Sequence, residues 1–218
     1  MDDKDVIYDL DRQRRIGMPE AVLCDGKTAA QIQSAIDQAL DGEGKILLTR
    51  LVESLAPSID TELDYDATSQ TAIAGKWEPP SGDPVVAVVA AGTSDLSVAR
   101  EATRTLAFHG ISARMYVDVG VAGLWRLLEI RDELAAFRVV IAVAGMEGAL
   151  FSVLGGLVPG LIVAVPTSRG YGVAHQGQTA LNSALTSCAQ GIVTVNIDNG
   201  YGAACAVTRM LGAGPPAD

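Results

Sequence analysis

One carboxylate, Glu147, lies in a stretch otherwise made of apolar and small residues, the segment 139–156 with the sequence VVIAVAGMEGALFSVLGG. Residues 139–143 form a continuous apolar run rich in β-branched side chains, which predicts a strand buried on both faces. Gly145 and Gly148 then indicate a tight turn into an apolar helix. Glu147 is therefore expected at the carboxyl end of a central strand, where open α/β sheets bind ligands. There it either caps the helix or takes part in chemistry, because an unpaired buried carboxylate is costly.

Polar residues and glycines also follow the other apolar runs, in loops where strands are expected to end. They are Thr93, Ser94, Asp95, Asp118, Gly120, Thr167, Ser168, Tyr171, Asn196, Asp198 and Asn199. Loops of this kind offer backbone N–H groups and hydroxyls to phosphate, so a nucleotide-like ligand is expected. No loop matches GxGxxG in the first strand-helix turn or GxxxxGK(S/T), which disfavours ordinary dinucleotide binding and P-loop phosphoryl transfer.

Read one at a time, several of these residues also suit structural roles. Asp95 stands where a helix over 96–109 would begin, which favours an N-terminal cap. Asp198, in NIDNG, suits a turn. A free cysteine usually behaves as a small buried hydrophobe, and Cys188 on its own would be read that way, as would Cys24 and Cys205.

The elements that must position these residues form a regular series from residue 84 onward. Apolar runs, each followed by a short polar loop and a helix, predict strands at 85–90, 112–117, 139–143, 161–165 and 192–195. Helices are expected over 96–109, up to 134, after 148, up to 187 and after 200. Such a series predicts an α/β fold with a doubly wound parallel sheet in three layers, flavodoxin-like or Rossmann-like.

Residues 1–80 differ in character and are assigned to a small N-terminal α+β segment with a linker. A helix is expected over 28–40 with Thr28 as its cap, followed by a strand at 45–48. The sequence PPSG at 79–82 indicates the linker. Residues 81–218 then form the second domain.

Composition narrows the class of protein. The 218 residues are 49% hydrophobic and include 23 glycines, which suits an α/β protein with tight loops. The net charge of -10, without a basic stripe, argues against nucleic acid as a partner. No apolar run is long enough to span a membrane, and the N-terminus resembles neither a signal nor a transit peptide, so a cytoplasmic protein is expected. The 3 cysteines lack CxxC spacing and indicate neither a disulfide framework nor a thiolate metal site.

Six motifs in fixed order resemble the LarB family, the pyridinium-3,5-biscarboxylic acid mononucleotide synthases of nickel-pincer cofactor biosynthesis. They are AAGTSDLSVAREA, YVDVGVAGLWRLL, VAGMEGAL, VPTSRGYG, NSALTSCAQG and VNIDNGYGAA. The N-terminal sequence LDRQRRIGMPE is similar to the same family, so the resemblance covers nearly the whole chain. It implies a PurE-like fold for the second domain, and carboxylation and hydrolysis of nicotinic acid adenine dinucleotide with release of AMP.

The resemblance also implies roles for individual residues. Cys188 is the implied nucleophile, because a thiolate adding to the electron-poor pyridinium ring makes an enamine-like intermediate that can attack CO2. Glu147 is the implied general base at C5, in a mostly apolar pocket, and Asp95 the implied group that places substrate or CO2. The expected substrate-binding residues are Gly92, Thr93, Ser94, Asp118, Gly120, Gly145, Met146, Thr167, Ser168, Gly170, Tyr171, Asn196, Asp198 and Asn199, of which Thr167, Ser168 and Gly170 would hold phosphate.

Cofactors and assembly follow from the same resemblance. It implies CO2 as co-substrate, Mg2+ to assist hydrolysis, no organic cofactor, and a homo-oligomer, expected to be an octamer with shared active sites. The metal ligands are not assigned, and the two histidines do not make a metal set. The chain departs from the family pattern after GYG, where it has VAHQGQ with His175, and after AGMEGAL, where it has Phe151 and Ser152.

Two other functions fit parts of this pattern. A PurE-type aminoimidazole ribonucleotide carboxylase or mutase acts on a nucleophilic imidazole and needs no cysteine. A non-catalytic nucleotide-binding module would bind a dinucleotide without turning it over.

Overall fold

The computed structural model describes residues 6–212, which divide into two compact units. One comprises the residues up to Pro79, and the other spans Pro80–Leu211. Among the described residues, no helix combines the length and apolar character needed to cross a membrane.

The N-terminal unit is a small α+β fold. Its helices and strands are α1 (Arg12–Ile16), β1 (Ala21–Leu23), α2 (Ala29–Gly42), β2 (Lys45–Thr49), β3 (Leu63–Asp66) and β4 (Thr71–Gly75). Its sheet has the order β1-β2-β4-β3, with β1 parallel to β2 and β4 antiparallel to both neighbours. Thr28 and Gln31 form a reciprocal capping box at the start of α2, as the cap prediction required.

The hairpin β3–β4 and the short strand β1 were not predicted from the sequence. β3 has the sequence LDYD and is only half-buried, so it lacks a clear alternation of apolar and polar residues. β4 pairs with β3 and β2 and is almost fully buried. The segment 63–75, for which the sequence predicted no strand, therefore supplies two of the four strands of this sheet.

The second unit is the predicted α/β doubly wound fold. Its elements are β5 (Val86–Ala90), α3 (Leu96–Phe108), β6 (Ala113–Tyr116), α4 (Leu124–Glu129), α5 (Arg131–Ala135), β7 (Val139–Ala144), α6 (Ala149–Leu157), β8 (Leu161–Pro166), α7 (Gln178–Leu185), β9 (Ile192–Thr194) and α8 (Gly200–Leu211). Within residues 80–211 the strands are all parallel in the order β6-β5-β7-β8-β9. This is the flavodoxin-like order, which the sequence had left open against the Rossmann-like one.

The two faces of the sheet pack against different helices. On β7, Val139, Ile141 and Val143 join the core formed with α3 and α8, whereas Val140 and Ala142 join the core formed with α4 to α7. Because both faces are covered, the central strands β5 and β7 are buried throughout. The apolar runs recognised in the sequence are the direct result of this double burial.

The connections differ from the prediction in two places. The helix expected to run to 134 is interrupted at Ile130 and becomes α4 and α5. The helix expected after the fourth strand begins only at Gln178, after short 3-10 turns over Gly172–Gly177, and it ends at Leu185. Because every strand is parallel, the loops that follow β5, β6, β7, β8 and β9 all lie at the carboxyl edge of the sheet, and the loops that precede them lie at the amino edge.

Candidate active site

Asp95 is a buried carboxylate that joins the loops after β5 and β8. It is 4% exposed, and its Oδ2 accepts the Gly92 N–H at 3.0 Å while its Oδ1 accepts the Thr167 hydroxyl at 2.6 Å. It holds the N-cap position of α3, as the cap interpretation required, but its side chain makes no capping bond to that helix. The carboxylate instead turns back to close the 3-10 turn Thr93–Asp95.

Burial raises the pKa of Asp95 above its ordinary value of 3.8. The Thr167 and Gly92 hydrogen bonds and the positive charge of Arg169 act in the opposite direction, because each favours the ionised form. Thr167 is itself fully buried, so its hydroxyl serves Asp95 in this chain. Asp95 is therefore held in place by two strand-end loops.

Glu147 lies in the loop between β7 and α6, and its side chain is exposed in the single chain. It lines a cavity whose walls are mostly small and apolar residues, but the residue itself is not buried there. Glu147 is also not the cap of α6, because Gly148, in the left-handed conformation, holds that position. The carboxylate is therefore free of the structural role, a helix cap, that the sequence offered for it.

The loop of Glu147 is fixed against the loop after β8 by a close backbone approach. The Met146 N–H donates to the Arg169 carbonyl oxygen at 2.9 Å. A Cβ on Gly145 would lie 2.0 Å from that same oxygen and 2.8 Å from Thr167 Oγ1, so only glycine fits there. Gly120 is comparable, because its Cβ would lie 2.7 Å from the Ala91 carbonyl oxygen.

These loops line an open cavity of about 210 Å³ at the carboxyl edge of the sheet. Seven of the predicted site residues line it, namely Gly92, Ser94, Asp95, Gly120, Gly145, Met146 and Glu147. Arg169 lines it as well and was missed as a site residue, although it lies inside the quoted motif VPTSRGYG. The sequence feature that could have identified Arg169 is a basic side chain in a strand-end loop of an acidic protein.

The other predicted binding residues lie in loops at the same edge but outside the cavity lining. Asp198 Oδ1 accepts the Ser168 N–H at 2.8 Å, which ties the loops after β8 and β9 together. Asn199 Oδ1 accepts the Gly202 N–H at 2.7 Å and so caps the first turn of α8. Asn196 is exposed and its side chain accepts the N–H of the next residue.

Four further predicted residues are more peripheral in the single chain. Asp118 pairs with Arg126 on α4. Thr93 is exposed, and Tyr171 is 77% exposed. Gly170 approaches the Ala174 backbone too closely for any side chain. Their roles in substrate binding stay predictions.

Cys188 is exposed, contrary to the expectation for a structural cysteine. It lies in the loop between α7 and β9, which is the amino edge of the sheet, opposite the cavity. Ser187 Oγ and Ser152 Oγ are 2.7 Å apart, and Ser187 Oγ also accepts the Ala189 N–H at 3.2 Å, so this loop is anchored on α6. One chain therefore does not bring Cys188 and Glu147 together.

The other two cysteines have different surroundings. Cys24 is buried, which raises its pKa to about 12 and keeps it protonated near neutral pH. Cys205, on α8, is partly buried. Cys188 is thus the cysteine whose sulfur is open to reaction partners.

The residues do not provide a ready protein site for a divalent metal. Within residues 6–212, no three side chains of His, Cys, Asp or Glu are grouped as metal ligands. Mg2+ commonly binds through one or two carboxylates together with substrate phosphates. The Mg2+ requirement stays a prediction, and no protein ligand set is assigned to it.

Comparison with known proteins identifies the family. A sequence model of the AIR carboxylase family matches residues 85–217, and a model of the LarB/PurE-like N-terminal domain matches residues 4–76. An uncharacterised protein of Methanocaldococcus jannaschii is 37% identical over 206 residues, covering 89% of this chain and 79% of the relative. A crystal structure of a Treponema denticola PurE2 variant is similar with a TM-score of 0.49 and 22% identity, covering 60% of this chain and 81% of that one.

The chain belongs to the AIR carboxylase family. Its N-terminal domain places it with the LarB-type members, which confirms the resemblance drawn from the six motifs.

Proposed function

We propose that this protein carboxylates C5 of the pyridinium ring of nicotinic acid adenine dinucleotide with CO2 and hydrolyses the phosphoanhydride. The products would be pyridinium-3,5-biscarboxylic acid mononucleotide and AMP, for nickel-pincer cofactor synthesis. The observation that carries the proposal is the small cavity at the carboxyl edge of the sheet, where Asp95, Glu147 and Arg169 surround one space. Membership of the LarB-type family supplies the reaction class.

The chemistry requires a nucleophile, CO2 and a base. A thiolate adds to the ring, and the electron pair taken up by the ring nitrogen makes C5 nucleophilic enough to form a carbon-carbon bond with CO2. A base then removes the C5 proton, which regenerates the dihydropyridine. Breaking the carbon–sulfur bond expels the thiolate and restores the aromatic pyridinium ring. The sequence of steps is redox-neutral and leaves the cysteine unchanged.

Glu147 is suited to the role of base because its carboxylate lies at the cavity and makes neither a helix cap nor a structural contact that would occupy it. Asp95 is suited to placing substrate, because two hydrogen bonds fix its position in the cavity wall. A fixed group reduces the reorganisation that the reaction would otherwise require.

The nucleophile Cys188 must then come from a second copy of the chain. Within one chain the sheet separates its sulfur from the cavity, since one lies at the amino edge and the other at the carboxyl edge. An oligomer that places the α7–β9 loop of one copy over the cavity of its neighbour would complete the site. We therefore propose shared active sites, with an octamer as the expected assembly.

Phosphate recognition is assigned to the loop after β8. The Thr167 hydroxyl is already bonded to Asp95, so Ser168 and the backbone at Gly170 are the better donors. Anhydride hydrolysis is expected to need Mg2+ held chiefly by the substrate phosphates.

The direct test supplies purified protein with nicotinic acid adenine dinucleotide, bicarbonate and Mg2+. We expect AMP and a dicarboxylated pyridinium mononucleotide, both identified by mass spectrometry. Cys188→Ala should abolish carboxylation, with Cys205→Ala as the matched control. Intact substrate after incubation with folded protein would reject the proposal, and an active Cys188→Ala variant would reject the nucleophile.

Aminoimidazole ribonucleotide carboxylation is a second candidate, because the AIR carboxylase model spans nearly the whole second unit. That reaction uses a nucleophilic imidazole and would not depend on the exposed Cys188 thiol. Turnover of aminoimidazole ribonucleotide that survives thiol alkylation would favour it. Tight dinucleotide binding without turnover, unchanged in Glu147→Gln, would instead indicate a binding module.

A further inference from the structure

Arg169 carries the positive charge in the cavity wall. Among the described residues that line the cavity, the charged side chains are Asp95, Glu147 and Arg169. The positive charge of Arg169 is near enough to Asp95 to lower the pKa of that carboxyl against the effect of burial. Without Arg169 the cavity would present two acids and no cation.

The backbone of Arg169 is fixed while its side chain stays available. Its carbonyl oxygen accepts the Met146 N–H at 2.9 Å and abuts Gly145, so the residue is anchored beside the loop that carries Glu147. The residue is exposed, and within residues 6–212 its guanidinium group makes no hydrogen bond or ion pair. The guanidinium is therefore able to bind a ligand with two parallel hydrogen bonds.

The size of the cavity indicates which part of the substrate enters it. About 210 Å³ is less than the roughly 300–1,000 Å³ typical of pockets that hold a drug-sized ligand. It suits one ring with its substituents, so the rest of a dinucleotide would extend beyond the part of the site that one chain lines. The ring of the proposed substrate carries a carboxylate, which two cavity acids would repel unless a cation faces it.

We propose that Arg169 binds the ring carboxylate of the substrate and so makes the enzyme select the nicotinic acid form of the dinucleotide over the nicotinamide form. This inference rests on the proposed function for the position of the ring. A planar guanidinium matches a carboxylate with two charge-assisted hydrogen bonds, whereas a carboxamide offers a single acceptor oxygen and no charge. The pyridinium nitrogen, which is positive, can then face the acids.

The test compares binding of the two dinucleotides by isothermal titration calorimetry to the full-length oligomer. The unaltered protein should bind the acid form more tightly than the amide form. Arg169→Gln should weaken binding of the acid form by about tenfold to hundredfold, while the amide form changes by less than about twofold. Arg169→Lys should fall between the two, because it keeps the charge and loses the paired donors.

Two controls isolate the carboxylate from other causes. Arg131→Gln makes the same charge change at an exposed ion pair with Asp132 and should leave both affinities unchanged. AMP carries phosphate but no ring carboxylate, and Arg169→Gln should not affect its binding. Equal losses for both dinucleotides, a matching loss for AMP, or no loss at all would each overturn the assignment.

The outcome also separates this inference from the proposed function. If the acid preference depends on Arg169 but no carboxylated product forms, the specificity assignment holds and the reaction is rejected. If product forms and the preference is unchanged in Arg169→Gln, the reaction holds and the role of Arg169 is rejected.

Discussion

Mixing two inactive variants tests whether the cavity and the thiol belong to different copies of the chain. Glu147→Gln keeps Cys188, and Cys188→Ala keeps Glu147, so each homo-oligomer lacks one group at every site. In an oligomer assembled from equal amounts of both, a complete site needs the Cys188→Ala copy at the cavity and the Glu147→Gln copy as its thiol donor. Random assembly gives this arrangement at about one quarter of the sites.

The assay is formation of dicarboxylated mononucleotide by oligomers that carry a different tag on each variant and are purified over both tags after co-expression. We expect about one quarter of the activity of the unaltered protein. Activity no higher than that of either variant alone would refute the shared site, because a site within one chain cannot be rebuilt by mixing.

A second mixture gives an independent measure. Unaltered chains combined with an equal amount of the double variant Glu147→Gln/Cys188→Ala should retain about one quarter of the activity if both groups must come from unaltered neighbours. They should retain about one half if each chain holds its own site. Cys188→Ala mixed with the double variant should remain inactive and controls for contaminating activity.

Three further outcomes follow from the described contacts. Iodoacetamide should modify the exposed Cys188 before the buried Cys24, whose pKa is raised to about 12. Peptide mass spectrometry would measure the two rates of modification, and equal rates would contradict the difference in burial. Because burial raises the pKa of Asp95, its contribution to stability is present below its ordinary pKa of 3.8 and is lost as pH rises through the native pKa. Urea unfolding should therefore show Asp95→Asn gaining stability relative to the parent chain as the pH rises above that ordinary value, and a constant difference would argue against this. In thermal unfolding, Gly145→Ala should destabilise the protein by about 1–3 kcal/mol, because its Cβ would lie 2.0 Å from a backbone oxygen, and it should also reduce activity. Gly156→Ala lies in open space on an exposed helical turn and should stabilise the protein by about 0.5–1 kcal/mol in the same assay.

The second unit was predictable because its strands are buried on both faces. Residues such as Val139, Val140 and Ile141 then all face apolar neighbours, and the strand is visible as an unbroken run. The order of the strands was not predictable in this way, since a flavodoxin-like and a Rossmann-like sheet share the same local pattern. The half-buried strand Leu63–Asp66 was missed for the opposite reason, because its residues carry no clear period.

The edge of the sheet at which each loop lies was the most reliable guide to the site. It placed Asp95, Gly145 and Glu147 together because parallel strands end on one side. The burial of individual side chains was harder to predict from the sequence. Glu147 is flanked in sequence by small and apolar residues, yet it is exposed in the single chain.

The exposure of Glu147 and that of Cys188 have one explanation under the shared-site proposal. Glu147 and Cys188 are both exposed in a single chain, although carboxylation of a ring needs a site from which water is largely excluded. If the α7–β9 loop of a neighbouring copy covers the cavity, the same contact buries the base, brings in the thiol and closes the site. The exposed carboxylate and the exposed cysteine at the opposite edge of the sheet are then two halves of one interface. The contact between Ser152 and Ser187 anchors that loop and would fix the position of the thiol at the interface.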